Sequence, residues 1–305
     1  MTKEKQFIAD LNMKKNGPAS KFRASESFWR VFLMGKIPLF GFMQFRLVLD
    51  SPQRGAYNMA ADETLLRRNA TAQPLPTLRF YAWDPFCLSL GRLQKTLPPG
   101  ALLPENERDF DVVRRPTGGR AVWHAQEITY SICAPLDFLP ENARSVQGAY
   151  EWLSGGFLLG LQSLGVQSSL APSQKRGEGG TNCFASSAAC DFLVNGKKLI
   201  GAAQCRLEGA FLQHGSLLLS MNPDDWQQKT GGPMSGATSL AELGVHAPRH
   251  QIIAALCDGF ERACAVSLME GNWSEEEREQ TQQLAGTKYL SPEWTLEAIV
   301  PPDGI

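Results

Sequence analysis

The sequence predicts an α+β fold: a mixed, mostly antiparallel sheet flanked by helices. Three observations carry that expectation. Short alternating apolar runs recur, and turns containing Pro, Gly or Asp separate most of them, as in strands joined by tight connections. Asn195-Gly196 sits between two such runs and supplies the paired positive-φ residues of a type I′ hairpin. Helical periodicity is confined to a few longer segments, at 55–68, at 143–165 and after Asn222.

In chain order, 45–49 reads as a strand and 55–68 as a helix with Met59, Leu65 and Leu66 at helical spacing. Strand-like runs follow at 77–83, 87–91, 111–115, 120–124 and 128–134. The long helix 143–165 ends at Gly165, and its Gly155-Gly156 pair weakens it and marks close packing. A polar, glycine-rich loop spans 173–187. The hairpin 190–206 comes next, then a returning strand at 210–220 after the Glu208-Gly209 turn. Helices at 248–266 and 274–289 complete the pattern, and the tail offers no second sheet for them to cover.

The 305 residues are 43% apolar and 20% charged, an ordinary globular composition with length for a large core. A net charge of −1 gives no global field favouring nucleic acid or an anionic membrane. The charge is uneven: residues 1–42 hold eight Lys/Arg against three Asp/Glu. That segment is expected to be a disordered N-terminal extension or sequence upstream of a true start at Met43, with residues 43–305 forming the functional domain. Its most apolar run, 31–43, is broken by Lys36 and Pro38, and no run reaches the ~18 residues of a membrane span. Seven cysteines at irregular spacing do not form a disulfide framework, and no C-x-x-C pair suggests structural zinc. The expected compartment is a reducing cytoplasm.

The segment "RRPTGGRAVWH" (114–124) concentrates chemistry. Glycines let backbone N–H groups approach a ligand, and Arg114, Arg115 and Arg120 beside Thr117, Gly118 and Gly119 offer forks for phosphate or carboxylate. No GK[ST] follows, so this is not a P-loop. Cys183 follows Gly179-Gly180-Thr181-Asn182 on a polar loop, where a nearby cation can favour a nucleophilic thiolate. Cys87, Cys133, Cys205, Cys257 and Cys264 lie in apolar patterns and read as core, while Cys190 opens a strand run and fits either class. Lys197 and Lys198 alternate in a strand, so at most one points into a site. Gly201-Ala202-Ala203 leaves room for something to lie on that strand. His124 and His214 are each a candidate base or donor, or a core histidine satisfied by a carbonyl.

Together, "GAYNMAADETLL", "RRPTGGRAVWH", "CFASSAACDFLVNGKKLIGAAQCR" and "LQHGSLLL" resemble, in the same order, the lipoate–protein ligase and octanoyltransferase catalytic domain, which is related to biotin–protein ligase. The resemblance runs from about Met43 to the end. It implies a class II synthetase-like mixed sheet. It places Arg115, Thr117, Gly118, Gly119 and His124 at the acyl-group site with Lys198, the lysine of K-x-x-G-[SA]-A, and with Gly201, Ala202 and His214 as further substrate contacts. Cys183-Phe184 stands where octanoyltransferases of the LipM type carry a cysteine, and Gly201-Ala202-Ala203-Gln204 is close to their GSAQ, with Ala202 in place of Ser. Residues 185–191 depart from the more usual D-x-P-S-x-x-E pattern.

The implied activity is octanoyl transfer from acyl carrier protein to a lysine of a lipoyl domain, such as the glycine-cleavage H protein, through an acyl-enzyme on Cys183 assisted by Lys198. The octanoyl tail is expected along the Gly201–Ala203 strand, and no cofactor or metal is required. Two alternatives remain at this point. One is an ATP- and Mg-dependent lipoate–protein ligase; the other is a non-catalytic module that binds carrier protein.

Overall fold

The computed structural model describes residues 43–171, 191–234 and 236–300. The extension 1–42 and the segment bearing Cys183 and Cys190 lie outside the described residues. In chain order the elements are β1 (Met43–Leu49), α1 (Gly55–Asn69), β2 (Thr77–Tyr81), β3 (Cys87–Leu90), α2 (Pro99–Leu102), β4 (Asp111–Arg114), β5 (Val122–His124), β6 (Glu127–Pro135) and α3 (Val146–Ser163). They continue with β7 (Ser169–Leu170), β8 (Phe192–Val194), β9 (Lys197–Leu207), β10 (Ala210–Leu218), α4 (Pro223–Thr230), α5 (Arg249–Cys264), β11 (Val266–Glu270), α6 (Glu275–Leu284) and α7 (Pro292–Thr295).

Among the described residues, eight strands form one sheet in the order β11-β1-β2-β6-β10-β9-β8-β7. The first two pairings are parallel and the other five antiparallel, which gives the mixed, mostly antiparallel sheet that the turn chemistry predicts. Asn195 and Gly196 both have positive φ in the β8–β9 turn, and Glu208 and Gly209 do the same between β9 and β10. Two strand features depart from the sequence reading. Strand β11, just after the helix expected at 248–266, pairs parallel with β1 and extends the sheet. Strands β3, β4 and β5 form a separate three-stranded sheet, β4-β3-β5. Propensity marked those runs as strands but carries no information on which sheet they join.

Strand alternation splits the large sheet into two unlike faces. On one face, Leu78, Phe80, Ile128, Tyr130 and Ile132 pack against Leu153, Phe157 and Leu161 of α3 and Ile252, Leu256 and Phe260 of α5. On the other, the register aligns Tyr81, Thr129, Ser216 and Gly201 in one row and Arg79, Ser131, His214 and Ala203 in the next. That second face looks toward α1 and the small sheet.

The helices on the apolar face pack at glycines. A Cβ at Gly156 would sit 2.6 Å from the Phe260 Cα, and one at Gly160 would sit 2.8 Å from the Leu256 Cα. A Cβ at Gly259 would strike the Gly156 carbonyl. The close packing expected of the Gly155-Gly156 pair therefore belongs to Gly156 alone, because a Cβ at Gly155 would meet only the Ala263 Cβ at an ordinary 3.6 Å. Gly156→Ala should lower stability by about 1–3 kcal/mol through overpacking. Gly155→Ala should be neutral or stabilise by about 0.5–1 kcal/mol through helix propensity. Urea midpoints of the two variants check this.

Candidate active site

The polar face of the large sheet, α1 and the small sheet line a cleft. Thr129, His214, Ser216 and Gly201 lie on its floor, and Ser89, Val122 and His124 face it from the small sheet. The register explains the second group: Ser89 pairs with Val122, and Cys87 pairs with His124, so all four share one face of that sheet. Leu88 and Trp123 point the other way, into a cluster with Trp226 and Met234. Met59 from α1 and the Tyr81 and Trp83 rings supply much of the apolar wall.

Two buried carboxylates organise the cleft. Asp62, on α1, accepts from Arg79 Nη1 at 2.8 Å, from the Tyr81 hydroxyl at 2.9 Å and from His214 Nδ1 at 2.9 Å. His214 Nε2 lies 2.6 Å from the Thr117 hydroxyl. With the proton on Nδ1 directed at Asp62, Nε2 accepts the Thr117 proton, which fixes the tautomer. Burial alone would raise the Asp62 pKa, but the hydrogen bond from His214 and the charge of Arg79 outweigh it and hold the carboxyl below its usual range. Burial lowers the His214 pKa against the opposing pull of Asp62, so the ring is neutral at neutral pH.

Glu127 opens β6 and collects the second set. Its Oε1 accepts from His124 Nδ1 at 2.7 Å, Thr129 Oγ1 at 2.6 Å, Ser216 Oγ at 2.7 Å and Trp83 Nε1 at 3.1 Å. The Trp83 N–H is shared with Thr129 Oγ1 at 2.8 Å. His124 stacks on Trp83 at a centroid distance of 4.1 Å, and its Nε2 lies 2.7 Å from the Ser89 hydroxyl. Burial pushes the Glu127 pKa up, but its pairing with His124 and the Thr129 and Ser216 hydroxyl donors bring it below the usual value.

Of the residues expected at the site, Arg115, His124, Gly201, Ala202 and His214 line this single cleft. Thr117 reaches it through His214. Arg115 has a role the sequence did not suggest. Its guanidinium donates to the carbonyls of Ser89, Gly118 and Arg120 and to the Ser89 hydroxyl, folding the TGG turn around itself. Gly119 adopts φ +98, and its carbonyl lies against Gly91, where a Cβ would collide with it. Gly118 and Gly119 are not among the cleft's lining residues. Arg114 is fully buried and donates to the carbonyls of Gly91, Gln94, Trp294 and Thr295, so it braces the fold.

Lys198 is 2% exposed while Lys197 is exposed, as strand alternation requires. Lys198 Nζ forms an ion pair with Asp191 Oδ2 at 2.7 Å, and Lys198 is not among the cleft's lining residues. The five described cysteines are poor thiolate candidates. Burial raises the pKa of each, to about 12 for Cys205 and Cys257 and well above the ordinary value for Cys87 and Cys133. Cys183 lies outside the described residues.

Asp62, Glu127, Ser89 and Asp191 were not anticipated. Part of the signal was present: Glu127, Thr129 and Ser131 alternate with Ile128, Tyr130 and Ile132, a polar face on an otherwise apolar strand. Asp62 lies three residues after Met59, on a helix that is buried over most of its surface.

The fold is that of lipoate-protein ligases. Lipoate-protein ligase A bound with ATP superposes with a TM-score of 0.70 at 21% identity, over 84% of this chain and all of that one. The bipartite lipoate protein ligase of Thermoplasma acidophilum, studied with its E2 lipoyl domain, gives 0.69 at 20% identity over 85% and 98%. Residues 54–261 match the lipoyl protein ligase A/B catalytic domain, and the chain belongs to that family. Among curated relatives, it is 34% identical to Octanoyltransferase LipM of Brevibacillus brevis over 273 residues, covering 83% of this chain and 99% of the relative. It is 33% identical to Octanoyltransferase LipM of Bacillus subtilis over 264 residues, covering 79% and 94%. Among the described residues, no helix is long and apolar enough to cross a membrane.

Replacing Asp62 with Asn should cost about 3 kcal/mol or more, because it weakens a buried ion pair and reorients His214. The native carboxyl titrates below its unfolded value of ~3.9. Its contribution is therefore full above that pH and is lost as pH falls through the folded pKa. Denaturation of the native protein between about pH 5 and pH 2 should be steeper than that of Asp62→Asn. Equal slopes would show that Asp62 carries no such linkage.

Proposed function

We propose that this chain is an octanoyltransferase of protein lipoylation, moving an octanoyl group from acyl carrier protein to a lysine of a lipoyl domain. The observation that carries this reading is the cleft itself. In a chain similar to octanoyltransferases over most of its length, Arg115, His124, Gly201, Ala202 and His214 surround one narrow cleft. Tyr81, Trp83 and Met59 give it the apolar wall that an acyl chain needs. Each methylene buried there contributes roughly 0.8 kcal/mol of binding, enough to hold the tail without a charge.

The reaction follows two steps. The Cys183 thiolate attacks the octanoyl thioester carbonyl, and the carrier-protein thiolate leaves and takes up a proton. The ε-amine of the acceptor lysine then attacks the enzyme thioester, loses a proton and forms the amide, which regenerates the Cys183 thiol. Lys198, held by Asp191, stabilises the thiolate and the oxyanion formed in each step. No step needs ATP or a metal. Burial raises the pKa of the five described thiols, which leaves Cys183 and Cys190; of these, Cys183 stands where the family resemblance implies the nucleophile. Residues 43–305 constitute the catalytic domain, 1–42 an extension, and the reducing cytoplasm the working compartment. The acceptor belongs to the class of lipoyl domains that includes the glycine-cleavage H protein.

Octanoyl–carrier protein, apo lipoyl domain and the enzyme should give octanoylated acceptor without ATP, read by intact mass. Cys183→Ala should abolish the product and the octanoyl adduct on the enzyme. Lys198→Met should slow transfer by about 100-fold or more, the loss expected for one oxyanion stabiliser. Strict dependence on ATP, with Cys183→Ala still active, would establish a ligase instead.

A further inference from the structure

We propose that Glu127 is a positioning residue that keeps the acyl cleft apolar by drawing the lining's hydrogen-bond donors out of it. The inference rests on the acyl-transfer reading above and specifies what that cleft selects: a medium-length saturated chain. The cleft presents a paradox on residue type alone. Eight of its lining residues carry N–H or O–H donors: Tyr81, Trp83, Ser89 and Arg115 among the first half, and His124, Thr129, His214 and Ser216 in the second. A wall of free donors would hold water, and a hydrocarbon tail would have to displace it without replacing its bonds.

The bonds resolve the paradox. Glu127 Oε1 takes the donors of His124, Thr129 and Ser216 and a share of Trp83. The Ser89 hydroxyl is engaged by His124, the ring that Glu127 orients. Asp62 takes the donors of Tyr81 and His214, and Arg115 donates to carbonyls and to Ser89. Each donor is aimed at a buried acceptor, leaving ring faces and C–H groups toward the cleft. Glu127 is itself absent from the cleft's lining and borders a second pocket with Trp123, Gln126 and Trp226. It acts through its neighbours, and four donors depend on one oxygen.

Glu127→Gln keeps size and shape but removes the charge that binds those donors. A neutral amide oxygen holds four donors poorly, and the Thr129 and Ser216 hydroxyls are the ones free to rotate into the cleft. The readout is single-turnover transfer from octanoyl- and butyryl-carrier protein. Four additional methylenes in an apolar slot favour octanoyl by about two orders of magnitude. The expected result is a fall of at least tenfold in that ratio for Glu127→Gln. Adding Thr129→Val and Ser216→Ala to the same variant should restore the ratio to within about threefold of the native protein. A purely structural role would lower both rates together and leave the ratio alone.

A folded Glu127→Gln protein with the native ratio overturns the proposal, and so does a triple variant that fails to recover it. Should Glu127→Gln not fold, the triple variant decides: a native-like ratio supports the proposal, and a ratio near one overturns it. If the native protein transfers neither acyl group, the acyl-transfer reading fails; if it transfers both with no octanoyl preference, the Glu127 proposal alone fails, which separates the two failures.

Discussion

Asp62 is the constraint on which the rest of the site depends. A carboxylate removed from water survives only if it is fully bonded, and this one receives a guanidinium, a phenol and an imidazole from three directions. Those partners come from β2 and β10 while Asp62 itself sits on α1, so one charge registers the helix against two strands. The imidazole then passes the constraint to Thr117 and the TGG turn. Satisfying a single ion thus positions the helix, the sheet and the small sheet's connecting turn at once. Arg79 contributes a second anchor by pairing with Asp50 at 2.6 Å as well as with Asp62.

Strand β6 shows how one segment can serve two layers. All nine of its residues are buried, yet the first six, Glu127 to Ile132, alternate between polar and apolar. The apolar set meets α3 and α5; of the polar set, Thr129 lines the cleft and Glu127 bonds the residues around it. A strand exposed on one face would place Glu127, Thr129 and Ser131 in water, where each would be solvated separately. Here the small sheet covers that face, so the polar groups must satisfy one another, and the result is a network with fixed directions.

Much of this architecture was legible in the sequence because it is local. The Asn195-Gly196 turn needs only the conformational preferences of two residues, and the helix over 55–69 needs only its periodicity. Alternation allows at most one of Lys197 and Lys198 to point inward, and Lys198 is the buried one; its choice as the site lysine came from the family resemblance rather than from the strand pattern. The parts that were not legible are relations between distant segments. Strand β11 becomes a strand by pairing with β1, more than two hundred residues earlier in the chain. Arg114 and Arg115 read as a cationic site because their type suggests a ligand, but their guanidiniums are bonded to backbone carbonyls from other parts of the fold. Asp62 and His214 are 152 positions apart, and nothing in either neighbourhood names the other.

The Arg114 arrangement ties α7 to the strand that leads into the TGG turn. Its guanidinium donates to the carbonyls of Trp294 and Thr295, while the Trp294 indole donates back to the Arg114 carbonyl. Glu63, the neighbour of Asp62, is clasped by Lys288 and Tyr289 from the same C-terminal stretch. A protein clipped by a protease, or translated from a prematurely ended message, just before these residues would keep every strand of both sheets. It would nonetheless strip Arg114 of two carbonyl acceptors and Glu63 of two donors, leaving the guanidinium to the Gly91 and Gln94 carbonyls and the carboxylate to Arg67, so this late stretch fastens a part of the fold laid down much earlier in the chain.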